Sequence, residues 1–183
     1  MWALENSDIP EELNIREKSK FPKCIGVFLL FTTKRLMWVI KEKGQSWNGE
    51  YFRNTVLAEH VIPFLNDKRN VLSVQDTTFL HDRAPCMSAL ATQNMLKANK
   101  IDYFGNGEWP GSSPDLNACE NLGSILKGRV ENRLSETGDD LRQVLLDVLQ
   151  ELEFDQELFT SLLTSYPTRI NAIRAAKGGH TKY

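Results

Sequence analysis

Apolar and polar positions divide the chain into short strands and amphipathic helices. Residues 1–20 are polar, acidic first and then basic, with a Pro10-Glu11-Glu12-Leu13 helix-start pattern, and residues 1–22 read as an arm or connecting loop. The pattern changes at Lys23. Cys24 to Phe31 is a continuous apolar run, as expected of a strand covered on both faces. Leu36 to Ile40 is a second, and the polar Thr32-Thr33-Lys34-Arg35 between them predicts a hairpin. After Asn48-Gly49, apolar residues at Tyr51, Val56, Leu57, Val61 and Phe64 predict a helix, with His60 at the edge of its buried face. Thr77 to His81 predicts a short strand ending at Asp82. Ala84 to Asn99 predicts a helix with Met87, Leu90, Ala91, Met95 and Leu96 on one side, and Ile101 to Phe104 a strand stopped by Gly105-Asn106-Gly107.

A helix over about 114–134 follows, with Ser113 as its N-cap, Pro114 at the first helical position and Asp115 complementing the dipole. Leu116, Cys119, Leu126 and Val130 form its buried stripe. Beyond Gly138 the pattern is helical: 139–152, 155–163, a turn at Tyr166-Pro167, then 168–176, with Lys177-Gly178-Gly179 as glycine C-cap chemistry. The order β-β-α-β-α-β-α followed by helices is that of one α/β domain over residues 23–183, with no internal repeat.

Bulk properties narrow this little. The 183 residues suffice for a core, and a formal net charge of −2 gives no global basic field, although a local DNA-binding face remains open. Cys24, Cys86 and Cys119 are odd in number and widely spaced, forming neither a disulfide framework nor a zinc cluster. The run Ile25 to Phe31 is too short to span a bilayer, and Met1 to Asn6 lacks signal-peptide character, so the expectation is an intracellular protein without a membrane partner.

The chemistry rests on two carboxylates. Asp82 sits at the carboxyl end of a predicted strand, where α/β folds collect ligands. Glu120 lies on a helix able to pack against that sheet, and 37 residues separate the two. Phosphoryl transfer by a pair of divalent ions holds them about 3.5–4 Å apart, and magnesium accepts a few carboxylates together with waters. Each residue also has an ordinary explanation: Asp82 as the cap of the helix near Ala84, Glu120 as a solvated helix glutamate. Asp115 is explained by its place in the first helical turn, and Asn117 and Asn121 are either polar neighbours of a metal site or exposed amides.

Trp109-Pro110-Gly111-Ser112-Ser113-Pro114-Asp115-Leu116-Asn117-Ala118-Cys119-Glu120-Asn121 resembles the W-P-x-x-S-P-D-L-N-P-x-E-N signature of Tc1/mariner transposases, with Ala118 in place of Pro. His81-Asp82-Arg83-Ala84-Pro85-Cys86 resembles that family's Q-D-N-A-P-C-H motif, with His81, Arg83 and Met87 as departures. Asn48 to Phe52 with Val61 to Leu65, and the tail Pro167 to Tyr183, are similar as well, so the resemblance runs from about Pro22 to Tyr183, with the spacing of the DD37E subgroup.

The resemblance implies an RNase H-like mixed sheet flanked by helices, with a helical C-terminal extension. It implies Asp82 and Glu120 as catalytic metal ligands in a DDE superfamily site, magnesium or manganese as cofactor if active, and a nuclear location. It further implies DNA, in the form of transposon ends, as partner in DNA transposition and integration, and allows a homodimer. The family's first catalytic aspartate lies on a strand ahead of the hairpin. Nothing before Lys23 resembles that strand, and Asp8 is a poor substitute. The expectation is therefore the C-terminal part of a catalytic domain, first strand missing and inactive as it stands. The alternative is a non-enzymatic remnant that binds nucleic acid or protein. Arg83, Lys127, Arg129, Lys177 and Lys182 are the candidate weak phosphate contacts, with solvated surface charges as the ordinary reading.

Overall fold

The computed structural model describes residues 24–110, 113–137, 140–177, 179 and 181. Strands β1 (Val27–Phe31) and β2 (Leu36–Ile40) form the expected antiparallel hairpin, with Val27 opposite Ile40 and Phe31 opposite Leu36. Its side chains alternate between two apolar clusters. Phe28, Leu30, Met37 and Val39 join the cluster of Phe52, Leu57, Phe79, Met87 and Leu96. Val27, Leu29, Phe31, Leu36, Trp38 and Ile40 join that of Leu122, Leu126, Val148, Leu149 and Phe159. Coverage on both faces is why the sequence shows an unbroken apolar run rather than alternation. At the turn, Thr32 Oγ1 accepts from the Lys34 and Arg35 N–H groups at 3.1 and 3.3 Å. The Arg35 guanidinium ion-pairs with Glu153 and lies 5.0 Å from the centre of the Phe154 ring.

Helix α1 comprises Gly49–Tyr51, a π-helical stretch Phe52–Val61, and Ile62–Asn66, and is capped by Asn48 Oδ1 accepting from the Tyr51 N–H at 2.9 Å. Its middle departs from the α-helix expected. The buried residues Phe52, Val56, Leu57 and Val61 recur at four to five positions, which fits the wider i→i+5 turn. His60 is half-buried at the edge of this face, as expected.

Strands β2 and β3 are joined through this helix. β3 (Thr78–Phe79) pairs in parallel with β4 (Asp102–Tyr103), and both are shorter than predicted. The single helix expected over 84–99 is two: α2 (Pro85–Ser88) and α3 (Leu90–Ala98), separated by the extended Ala89 (ψ 134°). Side-chain hydroxyls take over carbonyls near the break. Thr92 Oγ1 donates to the Cys86 carbonyl at 2.6 Å and Ser88 Oγ to that of Arg83 at 3.0 Å, an alternative to helical backbone bonding that serine and threonine offer.

Four helices complete the fold: α4 (Ala118–Thr137), α5 (Leu141–Leu152), α6 (Gln156–Thr164) and α7 (Tyr166–Ala176). Asp140 and Asp155 cap α5 and α6 through the N–H groups of Arg142 and Leu158, at 3.0 and 3.1 Å. The turn expected at Tyr166-Pro167 is instead the start of α7, because proline is tolerated in a first helical turn. At its far end the left-handed residue is Lys177 (φ 47°) rather than a glycine.

Among the described residues the strands form two separate two-stranded sheets, not one continuous mixed sheet. The edge of β1 that faces away from β2 looks across a cleft towards β3. No helix of the described residues is long and apolar enough to cross a membrane.

Two glycines lie inside α4, and a Cβ at Gly123 or Gly128 would meet nothing within 4 Å. Gly123→Ala and Gly128→Ala are each expected to raise stability by about 0.5–1 kcal/mol through helix propensity alone. An upward shift of the urea midpoint with unchanged slope is the expected reading, and a downward shift contradicts the open surroundings of these positions.

Candidate metal centre

Asp82 follows β3 on a tightly held turn. Its Oδ1 accepts from the Ala84 N–H at 2.9 Å, so the ordinary capping role is real, but it occupies one carboxylate oxygen only. Arg83 has a left-handed backbone (φ 63°), a costly conformation for a non-glycine residue. Three bonds hold it: its N–H donates to His81 Nδ1 at 3.1 Å, its carbonyl accepts from Ser88 Oγ, and its Nη1 donates to the Trp109 carbonyl at 3.3 Å. The turn leaves Asp82 exposed while His81 beside it is buried.

Glu120 reaches the same region from α4. That helix starts at Ala118, not at Pro114, and Asn117 rather than Ser113 is its cap, with Asn117 Oδ1 accepting from the Cys119 N–H at 3.1 Å. Residues 114–116 form a separate turn, because the groups of Asp115 are bonded elsewhere. The Asp115 carbonyl accepts from Arg169 Nη1 at 3.0 Å, and its carboxylate from Thr181 Oγ1 at 2.9 Å. Asp115 is structural, as expected, but by anchoring the turn rather than by complementing a dipole. Arg169 is 2% exposed and also donates from Nε to Ser165 Oγ at 2.7 Å. Sequence reasoning passed over it, although an arginine within the tail's apolar positions was a visible signal. The half-buried Trp109 packs between Phe104 and Tyr166, with ring centres 5.5 and 6.5 Å away.

Both carboxylates line the same two cavities. One, of about 300 Å³, lies between β1 and β3 and is closed at one end by Asp82, Asn117 and Glu120. The other, of about 340 Å³, has Asp82, Arg83, Trp109, Asn117 and Glu120 on its walls. The Cys119 thiol registers both charges: burial, then Glu120, then Asp82 push its pKa up to about 12. Burial also raises the Cys86 thiol, with Asp82 adding to it. For His81, burial lowers the pKa, and the Asp82 carboxylate opposes this.

Two exposed carboxylates on shared walls, with no ion pair to either among the described residues, suit a hard divalent cation completed by water. No group of three or more His, Cys, Asp or Glu converges anywhere among the described residues, so the pair stands without a third such ligand. Asp8 lies outside the described residues.

The candidate phosphate contacts separate. Arg83 lines the carboxylate cavity. Lys127 stands two turns along α4 from Glu120, on the same face, but is paired with Glu131 at 3.7 Å. Arg129 is directed to Asp155 at 3.8 Å and Arg133 to Glu151 at 2.8 Å. Lys177 ends α7, and Lys182 lies outside the described residues. A basic face beside the carboxylates therefore reduces to Arg83, because the other arginines of α4 are turned to acidic partners on neighbouring helices.

The chain matches no protein-family model. It is 32% identical over 113 residues to the Tc3 transposase of Caenorhabditis elegans, a match covering 61% of this chain and 33% of that protein. Its fold is that of the Mos1 transposase catalytic domain. A structure of that domain with raltegravir and manganese superimposes with a TM-score of 0.65 at 17% identity, over 86% of this chain and 78% of that one. The Mos1 paired-end complex with the left transposon end gives a TM-score of 0.70 at 17% identity, over all of this chain and 52% of that one. The chain thus has the RNase H-like fold of that catalytic domain and is similar in sequence to the Tc3 transposase over part of its length. It spans about a third of the length of the curated relative it matches.

The thiols offer a test of the site's surroundings. Cys24 is exposed, whereas the half-buried Cys119 is held as a thiol by desolvation of its sulfur and by two carboxylates. Because only the thiolate is a good nucleophile, iodoacetamide at pH 8 is expected to modify Cys24 and to spare Cys119 until the chain is unfolded. Equal labelling of both in the native protein, read by peptide mass mapping, contradicts the geometry.

Proposed function

We propose that this chain is the catalytic-domain portion of a Tc1/mariner-type DDE transposase, in which Asp82 and Glu120 together hold a divalent cation at a DNA phosphate. The observation that carries the reading is their convergence: two carboxylates with 37 residues between them in sequence line the same pair of cavities, one at a strand's carboxyl end and one in the first turn of a helix. The ion, magnesium or manganese, would supply a Lewis acid for an oxygen of the phosphate or an attacking water. The chain's own part is to aim the carboxylates through the Arg83 turn and the Asn117 cap, and to set one cation, Arg83, beside them. Metal in the Mos1 catalytic-domain structure and DNA in the Mos1 paired-end complex support the same choice of ligand and partner.

On this reading the chain by itself does not cleave or join DNA at a useful rate. Two-metal catalysis needs both ions held in register, and two carboxylates with no third acidic ligand beside them among the described residues hold one. DNA association is weak, because among the described candidate phosphate contacts Arg83 alone lines a cavity with the carboxylates, and it takes place in the nucleus. A homodimer is part of the proposal only so far as the family resemblance carries it.

Manganese titration of the purified chain, followed by electron paramagnetic resonance, tests the site. Asp82→Asn and Glu120→Gln are each expected to weaken the tightest site by about tenfold or more, since each removes a charged ligand worth well over 1.4 kcal/mol. Unchanged affinity in either variant overturns the shared-cation reading. In a parallel DNA assay, log affinity against log salt is expected to have a shallow slope, since the slope scales with the phosphates neutralised. Tight sequence-specific binding at physiological salt contradicts this weak association.

A further inference from the structure

We propose that the cavity bounded by α3, β4 and the loop after β4 is a subsite for an unpaired guanine base of DNA, which it recognises by the base's carbonyl and the two N–H groups beside it. DNA as the source of the base rests on the proposed function, whereas the chemistry of the cavity involves neither Asp82 nor Glu120.

The cavity, about 470 Å³, is lined by Gln93 and Lys97 of α3 and by Ile101, Asp102, Tyr103 and Glu108. Gln93 carries the argument. It is 8% exposed, and its amide nitrogen is buried without a hydrogen-bond partner. A buried donor left unmet is unfavourable, so Gln93 asks for an acceptor. Lys97 lies one turn further along the same face of the helix and joins no ion pair among the described residues. Two donors therefore stand on this wall.

The acceptors come from the strand and the loop. The Asp102 carboxylate accepts from the Thr78 hydroxyl through Oδ2, and the Glu108 carboxylate from the Gly105 N–H through Oε2, each at 2.6 Å. Each bond fixes a carboxylate and uses one of its oxygens. Like Lys97, both residues are outside any ion pair among the described residues.

This mixture selects against simple ions. An arginine or lysine side chain would meet the carboxylates, but it has only donors to offer Gln93. A phosphate or carboxylate would meet Gln93 and Lys97 and be repelled by Asp102 and Glu108. A neutral group with an acceptor beside donors satisfies both sets. Guanine carries that pattern on its pairing edge, with the O6 acceptor next to N1–H and the N2 amino group, and two parallel donors match the fork of a carboxylate. The other three bases present one donor group each on that edge. Ile101 and the half-buried Tyr103 give the ring apolar surface. A base bound by its pairing edge has to be unpaired.

The loop that bears Glu108 also reaches the metal centre. Asn106 is bridged to Trp109, and Trp109 and Pro110 stand on the wall of the cavity that holds Asp82 and Glu120. Asn106 Nδ2 donates to the Ser88 carbonyl at 3.1 Å, which ties the loop to the end of α2. A DNA strand held at the carboxylates thus runs beside the loop that walls the base subsite.

The experiment uses the full 183-residue chain, without metal, and guanosine. Guanosine has no phosphate, so failure of the shared-cation reading leaves the test intact. Binding is followed by the side-chain amide resonances of Gln93, assigned through Gln93→Leu. Saturable binding of guanosine is expected, with inosine, which lacks the amino group, about tenfold weaker and adenosine weaker still. Gln93→Leu should weaken guanosine by about tenfold while keeping or raising the Tm, because it removes an unmet buried donor. Asp102→Asn combined with Glu108→Gln, both at exposed positions, should abolish the preference for guanosine over inosine. A DNA duplex ending in one unpaired guanine should bind about tenfold more tightly than the same duplex ending in unpaired hypoxanthine. Absence of saturable guanosine binding overturns the proposal, as does equal binding of inosine, which would mark an apolar slot. Displacement of guanosine by N-acetylarginine amide or inorganic phosphate at equal concentration would mark an ion patch and also overturn it. A guanosine preference that the two duplexes do not share would assign the cavity to a free nucleoside and overturn the DNA subsite.

Discussion

The hairpin of β1 and β2 has to be buried on both faces, and most of the structure is arranged around that requirement. A strand whose every side chain is apolar cannot leave one face in water without forfeiting roughly 1.5–3 kcal/mol for each large residue exposed. Leu30 and Val39 are covered by α1 and the short helices that follow it, Phe31 and Leu36 by α4, α5 and α6. The second cover is what places Glu120. Leu122, Leu126 and Val130 bind α4 to the hairpin side of the core, which fixes the first turn of that helix against the strand end bearing Asp82.

A buried arginine sets the approach to that helix. Arg169 on α7 is out of water, and a buried charge is tolerated only with good partners. It finds them in Ser165 and in the Asp115 carbonyl, so the turn ahead of α4 is tied to the last helix of the fold. Trp109 adds an aromatic contact between the same regions through Tyr166. Removing the guanidinium would therefore loosen the turn that delivers Glu120, although Arg169 itself stands on none of the cavity walls that Glu120 shares with Asp82.

The elements that carry strong local patterns could be read from the sequence. The apolar runs on either side of Thr32 to Arg35 specified the hairpin, and Asp82 and Glu120 stood out by strand-end position and spacing. Features settled by competition between backbone and side chains could not. The break at Ala89 depends on where the Thr92 and Ser88 hydroxyls bond. The start of α4 shifts by four residues from the expected Pro114 because Arg169 and Thr181, distant in sequence, hold Asp115. The π-helical middle of α1 follows from which residues the hairpin buries, a tertiary fact. The ion pairs of Lys127 and Arg129 likewise depend on what each side chain reaches: Glu131 one turn on along α4 for the first, Asp155 at the start of α6 for the second.

The account stands or falls on whether one cation is shared by Asp82 and Glu120. Crystals of the chain grown or soaked with manganese, measured at the manganese absorption edge, report this through the anomalous difference map. The account predicts a peak between the two side chains, with a carboxylate oxygen of each at about 2.0–2.2 Å, the range for small octahedral divalent ions. A peak bonded to only one of them, or none at a manganese concentration that saturates the chain in solution, would contradict it.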